Sequence, residues 1–260
     1  EGKESPPHPA LRDVRVKEAL DWALDEKAAA EVSCGKYGIP GCQYLNEVYY
    51  PDWANTELDC RGYDLDKARE ILDEAGYLDT DGDGIRELSS VFIRPIRSHK
   101  GKGAVDVPTV WARETEKIGI KLNVSVMDSD TLWSSMNPNG DFDIGIWGWL
   151  GDPDPHYLLC TMTCEQAAPG GWSESGYCNP ELDKAYEQAA LVQTREERRA
   201  LYWKMQELMQ RDVPYITWAY YGNLCAFRND KVGKDLEFLR WLRSYGIVSK
   251  VFAVTADTVS

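Results

Sequence analysis

Basic charge is scarce in this chain. Its 260 residues carry 29 Lys and Arg against 43 Asp and Glu, a net charge of −14. A nucleic-acid binder needs a positive face to neutralise phosphates, so nucleic acid is argued against as a partner. An anionic membrane surface makes the same demand and is disfavoured for the same reason. Long apolar runs are missing too: none approaches the roughly 20 residues of a membrane span, and no direct span is expected. The 3 histidines, His8, His99 and His156, are scattered, read as surface or loop positions, and form no metal or catalytic cluster. Neither G-x-S-x-G, nor a P-loop, nor G-x-G-x-x-G is present, and no cofactor is implied. No internal repeat and no low-complexity linker divides the chain. No signal peptide is visible, and the opening "EGKESPPHPALRD" lacks Met, so residues 1–12 read as a cut or linker end.

Cysteine, in contrast, is plentiful. Seven occur, at 34, 42, 60, 160, 164, 178 and 225, mostly in loop-like contexts. Cys42 and Cys60 bracket the turn-rich "QYLNEVYYPDWANTELD", and Cys164 and Cys178 bracket "EQAAPGGWSESGY". Loops closed in this way gain from disulfides, which suits an oxidising compartment. Zinc is the weaker reading, because no C-x-x-C pair or nearby histidine accompanies the cysteines. Cys160 lies one helical turn from Cys164 and competes with it for Cys178. The odd count leaves at least one thiol unpaired within the chain.

Periodicity places helices and strands in alternation. Residues 13–31 read as one helix, with Val16, Leu20, Ala23, Leu24 and Ala28 on one face. A Gly-, Pro-, Tyr- and Asn-rich loop spans 34–63. Asp64 caps a helix to about Ala75, with Gly76 at its end. "SVFIRPIR" (90–97) reads as a strand, 106–118 as a helix, "GIKLNVSVMD" (119–128) as a strand, "DTLWSSM" as a short helix and "DFDIGIWGW" (141–149) as a strand. Asn179 and Pro180 open a helix to about Val192. Thr194 and Glu197 form a capping box for the next, which carries Leu201, Met205, Leu208 and Met209 on one face. "VPYITWAYYG" then reads as a strand. This alternation predicts an α/β layered fold.

Six segments, taken in order, resemble the family 5 bacterial solute-binding proteins, the oligopeptide, dipeptide and nickel receptors of ABC importers. They are "LRDVRVKEALDWALDEKAA", "YDLDKAREILDEAGYLDTDGDGIRE", "WARETEKIGIKLNVSVMDSDTLW", "GDFDIGIWGWLGDPDP", "SGYCNPELDKAYEQA" and "REERRALYWKMQELMQRDVPYI". The match runs from about Leu11 to Arg228. The resemblance implies a periplasmic-binding-protein type II lobe, a mixed sheet flanked by helices. On this reading residues 13–220 form the second ligand-binding lobe of a longer receptor. Residues 221–260 form a C-terminal segment returning toward a first lobe upstream of Glu1. It also implies a monomeric protein outside the cytoplasm, periplasmic or on the cell surface. That protein carries a small-molecule or peptide ligand to ABC permease subunits and performs no catalysis.

Within this frame "IWGWLGDPDPHY" (146–157) is the candidate site. Side chains alternate along a strand, so Phe142, Ile144 and Ile146 are expected in the core, and Asp143, Trp147 and Trp149 on the other face. Ligand crevices of open α/β sheets lie beyond strand carboxyl ends, where Trp149 and Asp152 fall. An aspartate three residues after a tryptophan is similar in spacing to the residue that holds the amino terminus in peptide-binding family members. That role passes by resemblance to Asp152, with Trp149 lining a pocket. The candidate ligand-binding set is Trp149, Asp152, Trp147 and Asp154. The bland alternative is a proline-braced turn in which Asp152 or Asp154 caps a helix; Asp154 fits it better. Trp22, Trp111, Trp203 and Trp218 read as packing residues.

Asp79, Asp81 and Asp83 with Gly84 resemble the start of a calcium loop, but position twelve is Ser90 where a bidentate Glu is needed. Glu87 could serve a shorter loop; an acidic connector is the preferred reading, and no metal is assigned. A different functional class also stays open: a secreted carbohydrate-binding or carbohydrate-active protein whose exposed tryptophans stack on sugars.

Overall fold

The computed structural model describes residues 8–87, 96–99, 105–136, 142–222 and 247–254. A 3-10 turn at Pro9–Arg12 leads to Asp13, whose side chain accepts from the Arg15 amide and caps α1 (Val14–Trp22). The single helix expected over 13–31 is in fact two. Asp25 accepts from the Ala28 amide at 2.9 Å and starts α2 (Glu26–Cys34), because a short polar side chain offers the backbone a cap in place of a continued helix. Strand β1 (Gly38–Pro40) follows, then the loop through residue 63. Helix α3 (Leu65–Glu74) is capped by Asp64 as expected.

The remaining elements alternate: β2 (Ile96–His99), α4 (Asp106–Glu116), β3 (Val124–Met127), α5 (Ser129–Met136), β4 (Ile144–Leu150) and α6 (Pro155–Cys160). After them come α7 (Pro180–Leu191), α8 (Arg195–Asp212), β5 (Tyr215–Gly222) and β6 (Ile247–Val254). Both halves of the Thr194–Glu197 capping box are formed. Of "SVFIRPIR" only 96–97 are described, in β2; 90–95 lie outside the described residues, as do 1–7, 223–246, 255–260 and with them Cys225. The strand expected from 119 begins at Val124. Ile118, Ile120 and Leu122 alternate with polar neighbours because they are buried in the first hydrophobic cluster as irregular chain, without strand pairing.

The sheet has the order β1-β5-β6-β4-β2-β3. β2 runs parallel to β3 and β4, whereas β6 is antiparallel to β4 and β5, and β1 antiparallel to β5, so the sheet is mixed. Helices cover both faces. One layer takes α1 to α4, where Leu20, Leu72 and Trp111 meet Ile144, Ile146, Ile216 and Trp218. The other takes α5 to α8, where Leu132, Leu159, Leu182 and Met205 meet Trp149 and Tyr215. Trp111 and Trp218 are buried, and the Trp111 indole donates to the Leu20 carbonyl at 3.0 Å. Trp22 packs at the edge of the first layer and Trp203 lies beneath Arg199.

Both expected disulfides are present: Cys42–Cys60 and Cys164–Cys178, with Cα separations of 5.1 and 4.3 Å. Cys34 and Cys160 are free thiols. The histidines meet the surface-or-loop expectation in part: His8 lies in a loop but away from the surface, and His156 lies in α6. His8 is buried, its amide donating to Asp143, and half-buried His156 stacks on Tyr186 at 4.0 Å between ring centres. An imidazole offers a flat ring to stack, and the His8 ring caps the 3-10 turn, its Nδ1 accepting the Ala10 amide at 3.2 Å. His99 has no described side chain. Because each disulfide closes an irregular loop, C164S/C178S is expected to lose about 3 kcal/mol of unfolding free energy, read by urea titration.

Candidate ligand-binding site

Strand β4 ends at Leu150, and the chain turns sharply at Gly151. A Cβ at 151 would lie 2.0 Å from the Tyr50 hydroxyl, so the turn requires glycine there. The neighbouring Tyr49 hydroxyl donates to the Gly151 carbonyl at 3.0 Å. Loop 42–60 thus lays two tyrosines against the strand end, their rings edge to face at 4.7 Å. Asp152 and Pro153 beyond it are exposed. Tyr50 is buried, and among the described residues its hydroxyl has no hydrogen-bond partner. Burial first, then the nearby Tyr49 phenol and the Asp152 and Asp154 carboxylates, hold that hydroxyl well above its ordinary range. Asp152, exposed and without a hydrogen bond or ion pair among the described residues, stands next to the Gly151–Tyr50 contact at the carboxyl end of β4.

Asp154 behaves as the turn reading expected. It caps α6 by accepting from the His156 amide at 2.9 Å, and it pairs with Arg198, Nη1 to Oδ2, at 2.9 Å. Its oxygens serve the turn. Trp147 faces the second helix layer and packs on Trp133 at 5.2 Å between ring centres. The alternation expected for β4 holds for Ile144 and Ile146 against Trp147 and Trp149. It fails for Phe142 and Asp143. Phe142 precedes the strand, is not bound by its pleat, and joins the layer of the tryptophans; Asp143 is buried and accepts the His8 amide at 2.9 Å.

Trp149 is 8% exposed, because Trp172 from the Cys164–Cys178 loop covers it, ring centres 5.7 Å apart. Trp172 is 48% exposed and meets the exposed Tyr157 of α6 edge to face at 6.3 Å. The exposed aromatic surface here is thus Trp172 and Tyr157, with Trp149 beneath as its support. Sequence pattern missed both; the one signal was that Trp172 lies in a loop bracketed by cysteines. Beneath Trp149 lies Glu174, which accepts from the Tyr215 hydroxyl at 2.6 Å and the Trp149 indole at 3.3 Å. Its second oxygen has no partner among the described residues. Burial pushes this carboxyl up to about 7 against those hydrogen bonds.

The acidic turn is a separate feature. Asp79, Asp81 and Glu87 place carboxylate oxygens within 4.8 Å of one another, all exposed. Those oxygens already accept the turn's own amides: Gly82 and Gly84 to Asp79, Asp83 to Asp81, Thr80 to Glu87. Asp83 accepts from Ile85.

The profile described as "Bacterial extracellular solute-binding proteins, family 5 Middle" matches residues 3–169. The chain belongs to this family. Two relatives give the scale of the likeness. Oligopeptide-binding protein AppA of Bacillus subtilis is 29% identical over 223 residues, 82% of this chain and 39% of AppA. Heme-binding protein A of Haemophilus influenzae is 27% identical over 216 residues, 80% of this chain and 36% of its own. The solved structure of Bacillus subtilis AppA with a nonapeptide aligns at a TM-score of 0.70 and 20% identity, covering 97% of this chain and 45% of that one. The type II binding-protein fold is therefore shared, and this family 5 chain spans less than half the length of those relatives. No helix among the described residues is long and apolar enough to cross a membrane.

Glu174 gives the site a pH signature. Its folded-state value, about 7, exceeds that of an exposed glutamate, so the folded chain binds the proton more tightly. The resulting stability is full below pH 4 and is lost as pH rises to 7. Asp21, raised by burial to about 6, and Glu26, to about 8, slope the same way. Glu174→Gln is expected to flatten the decline between pH 4 and 7 by an amount on the order of 3 kcal/mol, measured by thermal melts across that range.

Proposed function

We propose that residues 13–220 are one ligand-closing lobe of a receptor outside the cytoplasm, which captures a peptide-like ligand by its amino terminus. The observation that carries this reading is Asp152, an exposed carboxylate with no capping or ion-pair duty among the described residues, set at the carboxyl end of β4 beside Tyr50. An ammonium enclosed there between two lobes would be matched by that carboxylate, and the Trp172–Tyr157 wall would flank the first side chain. The names of AppA and its nonapeptide complex point the same way, whereas heme-binding protein A shows that a family member can take other cargo. The receptor works as a monomer, hands its ligand to ABC permease subunits and carries no turnover. Closure by hinge motion is how two-lobed binding proteins bury a ligand. The names of the peptide-binding relatives support the peptide reading over the carbohydrate alternative, although one solved oligopeptide-binding protein, of Thermotoga maritima, is described with mannohexaose bound.

The test uses the full-length receptor. Asp152→Asn is expected to weaken peptides with a free amino terminus by about 3 kcal/mol or more, since it strips one partner from an enclosed pair. N-acetylated peptides should change little. Asp154→Asn, at the helix cap, should lower the melting temperature more than it alters the free-to-blocked affinity ratio. Paired calorimetric titrations decide: equal losses for free and blocked peptides would assign Asp152 to structure.

A further inference from the structure

A cavity of about 670 Å³ opens along the β1 edge of the sheet, between the start of α2, β1 and the Cys42–Cys60 loop. It continues into an inner chamber of about 40 Å³ walled by Asp21, Tyr44, Gln206 and Thr217. Glu26, Gln43, Cys42 and Arg61 line both. Glu26 is 8% exposed, and among the described residues its carboxyl takes no hydrogen bond or ion pair from any other residue. Gln43 is half-buried; its Nε2 donates to the Asn55 carbonyl at 2.9 Å, which leaves Oε1 buried without a donor. Asn46, 4% exposed, accepts the Tyr49 amide through Oδ1 and leaves Nδ2 with no acceptor. The nearby cations do not fill these positions. Arg61 is committed to Glu18, Asp21 and the Gln210 carbonyl, and Lys27 is exposed at the rim.

Buried acceptors without donors are costly, and the handful present in a folded chain need a physical account. Glu26 and Gln43 lie in the lining shared by the two chambers and Asn46 in that of the outer one; the unpartnered Gln43 and Asn46 atoms are sealed from solvent, so a ligand meets them when those side chains turn toward the cavity. A group with several N–H donors and a fixed positive charge satisfies the first two, and a guanidinium supplies this better than an ammonium. A carbonyl of the same ligand satisfies the third. The volume admits a molecule of amino-acid size with room to spare for the groups attached to it. We infer that this cavity binds a guanidinium-bearing ligand, an arginine or its derivative, through Glu26 and Gln43 at the cationic end and Asn46 at a carbonyl.

Linkage gives the site a second signature. Burial holds the Glu26 carboxyl up to about 8; its own amide and Lys27 pull it down, while Asp21 of α1 and Asp25 push it up. Glu47 and Arg61 of the loop also line the cavity. A bound cation selects the ionised carboxylate, so binding below pH 8 releases a proton and tightens as pH rises. The guanidinium stays charged throughout. For this value of Glu26, affinity should rise roughly 20-fold between pH 6.5 and 8.5 and then level off.

The probe is Nα-acetylarginine amide, titrated into the 260-residue chain by calorimetry. It has no free ammonium, so its binding is independent of Asp152 and of the peptide reading. The expected result is saturable one-to-one binding whose heat varies with the buffer's ionisation enthalpy at pH 7. Glu26→Gln should lose about tenfold or more and release no proton. Gln43→Ala should lose several-fold, and Nα-acetylcitrulline amide, the neutral isostere, should bind at least about tenfold more weakly than the arginine probe. If Glu26→Gln fails to melt cooperatively, Gln43→Ala and the pH profile decide. Absence of saturable binding, equal binding of the citrulline compound, or a flat pH profile would overturn the proposal.

Discussion

Ile144 and Ile146 leave β4 toward one helix layer, and Trp147 and Trp149 leave it toward the other. A strand buried on both faces cannot slip by one residue without driving indoles into an aliphatic layer and isoleucines against tyrosines. That constraint sets where the strand ends. Leu150 closes the pleat, Gly151 admits the Tyr50 hydroxyl, and Asp152 is the first side chain released to solvent. The position of the carboxylate is therefore a consequence of packing several residues away. The helix at Pro155 follows from the same turn, with Asp154 held by its cap and by Arg198.

The layer beneath the site is polar in a way that an ordinary core is not. Glu174, Tyr215, Tyr44 and Thr161 run as a string of hydroxyl and carboxyl contacts and ring packing, with Tyr44 and Thr161 at 3.0 Å and the Tyr44 and Tyr215 rings 5.6 Å apart. Such groups in a dry surround fix geometry more tightly than aliphatic packing does, and they charge a stability penalty when ionised. The Trp149 indole is tied into this string, so the aromatic wall above it is held from below by a hydrogen bond as well as by stacking.

The layered α/β plan, the capped helices and both disulfides were legible in the chain because each has a local signal: a period, a cap residue, a bracketed loop. The split at Asp25 was not, since Ala23 and Leu24 continue the apolar face across the break, and only the side-chain bond to Ala28 reveals it. Turn chemistry alone offered either Asp152 or Asp154 as the helix cap and only the family resemblance told them apart; the cap belongs to Asp154. Trp149 could not be read as covered, because its cover lies 23 residues on in a loop without periodicity, and stacking between distant loops leaves no imprint on spacing. Glu174 and Glu26 were invisible for the same reason: burial of a carboxyl is a property of what folds over it.

The two faces of the molecule also differ in what they owe to sulfur. The cluster under α1 to α4 draws on no residue inside either cystine loop, whereas the opposite cluster takes in Tyr44, Leu45, Tyr50, Ala54 and Tyr177 from within them. The sheet and its first layer can therefore assemble from a chain whose thiols are still reduced. The second layer, by contrast, takes several of its tyrosines from loops that the cystines close, so reduction is expected to loosen that layer and leave the first one standing.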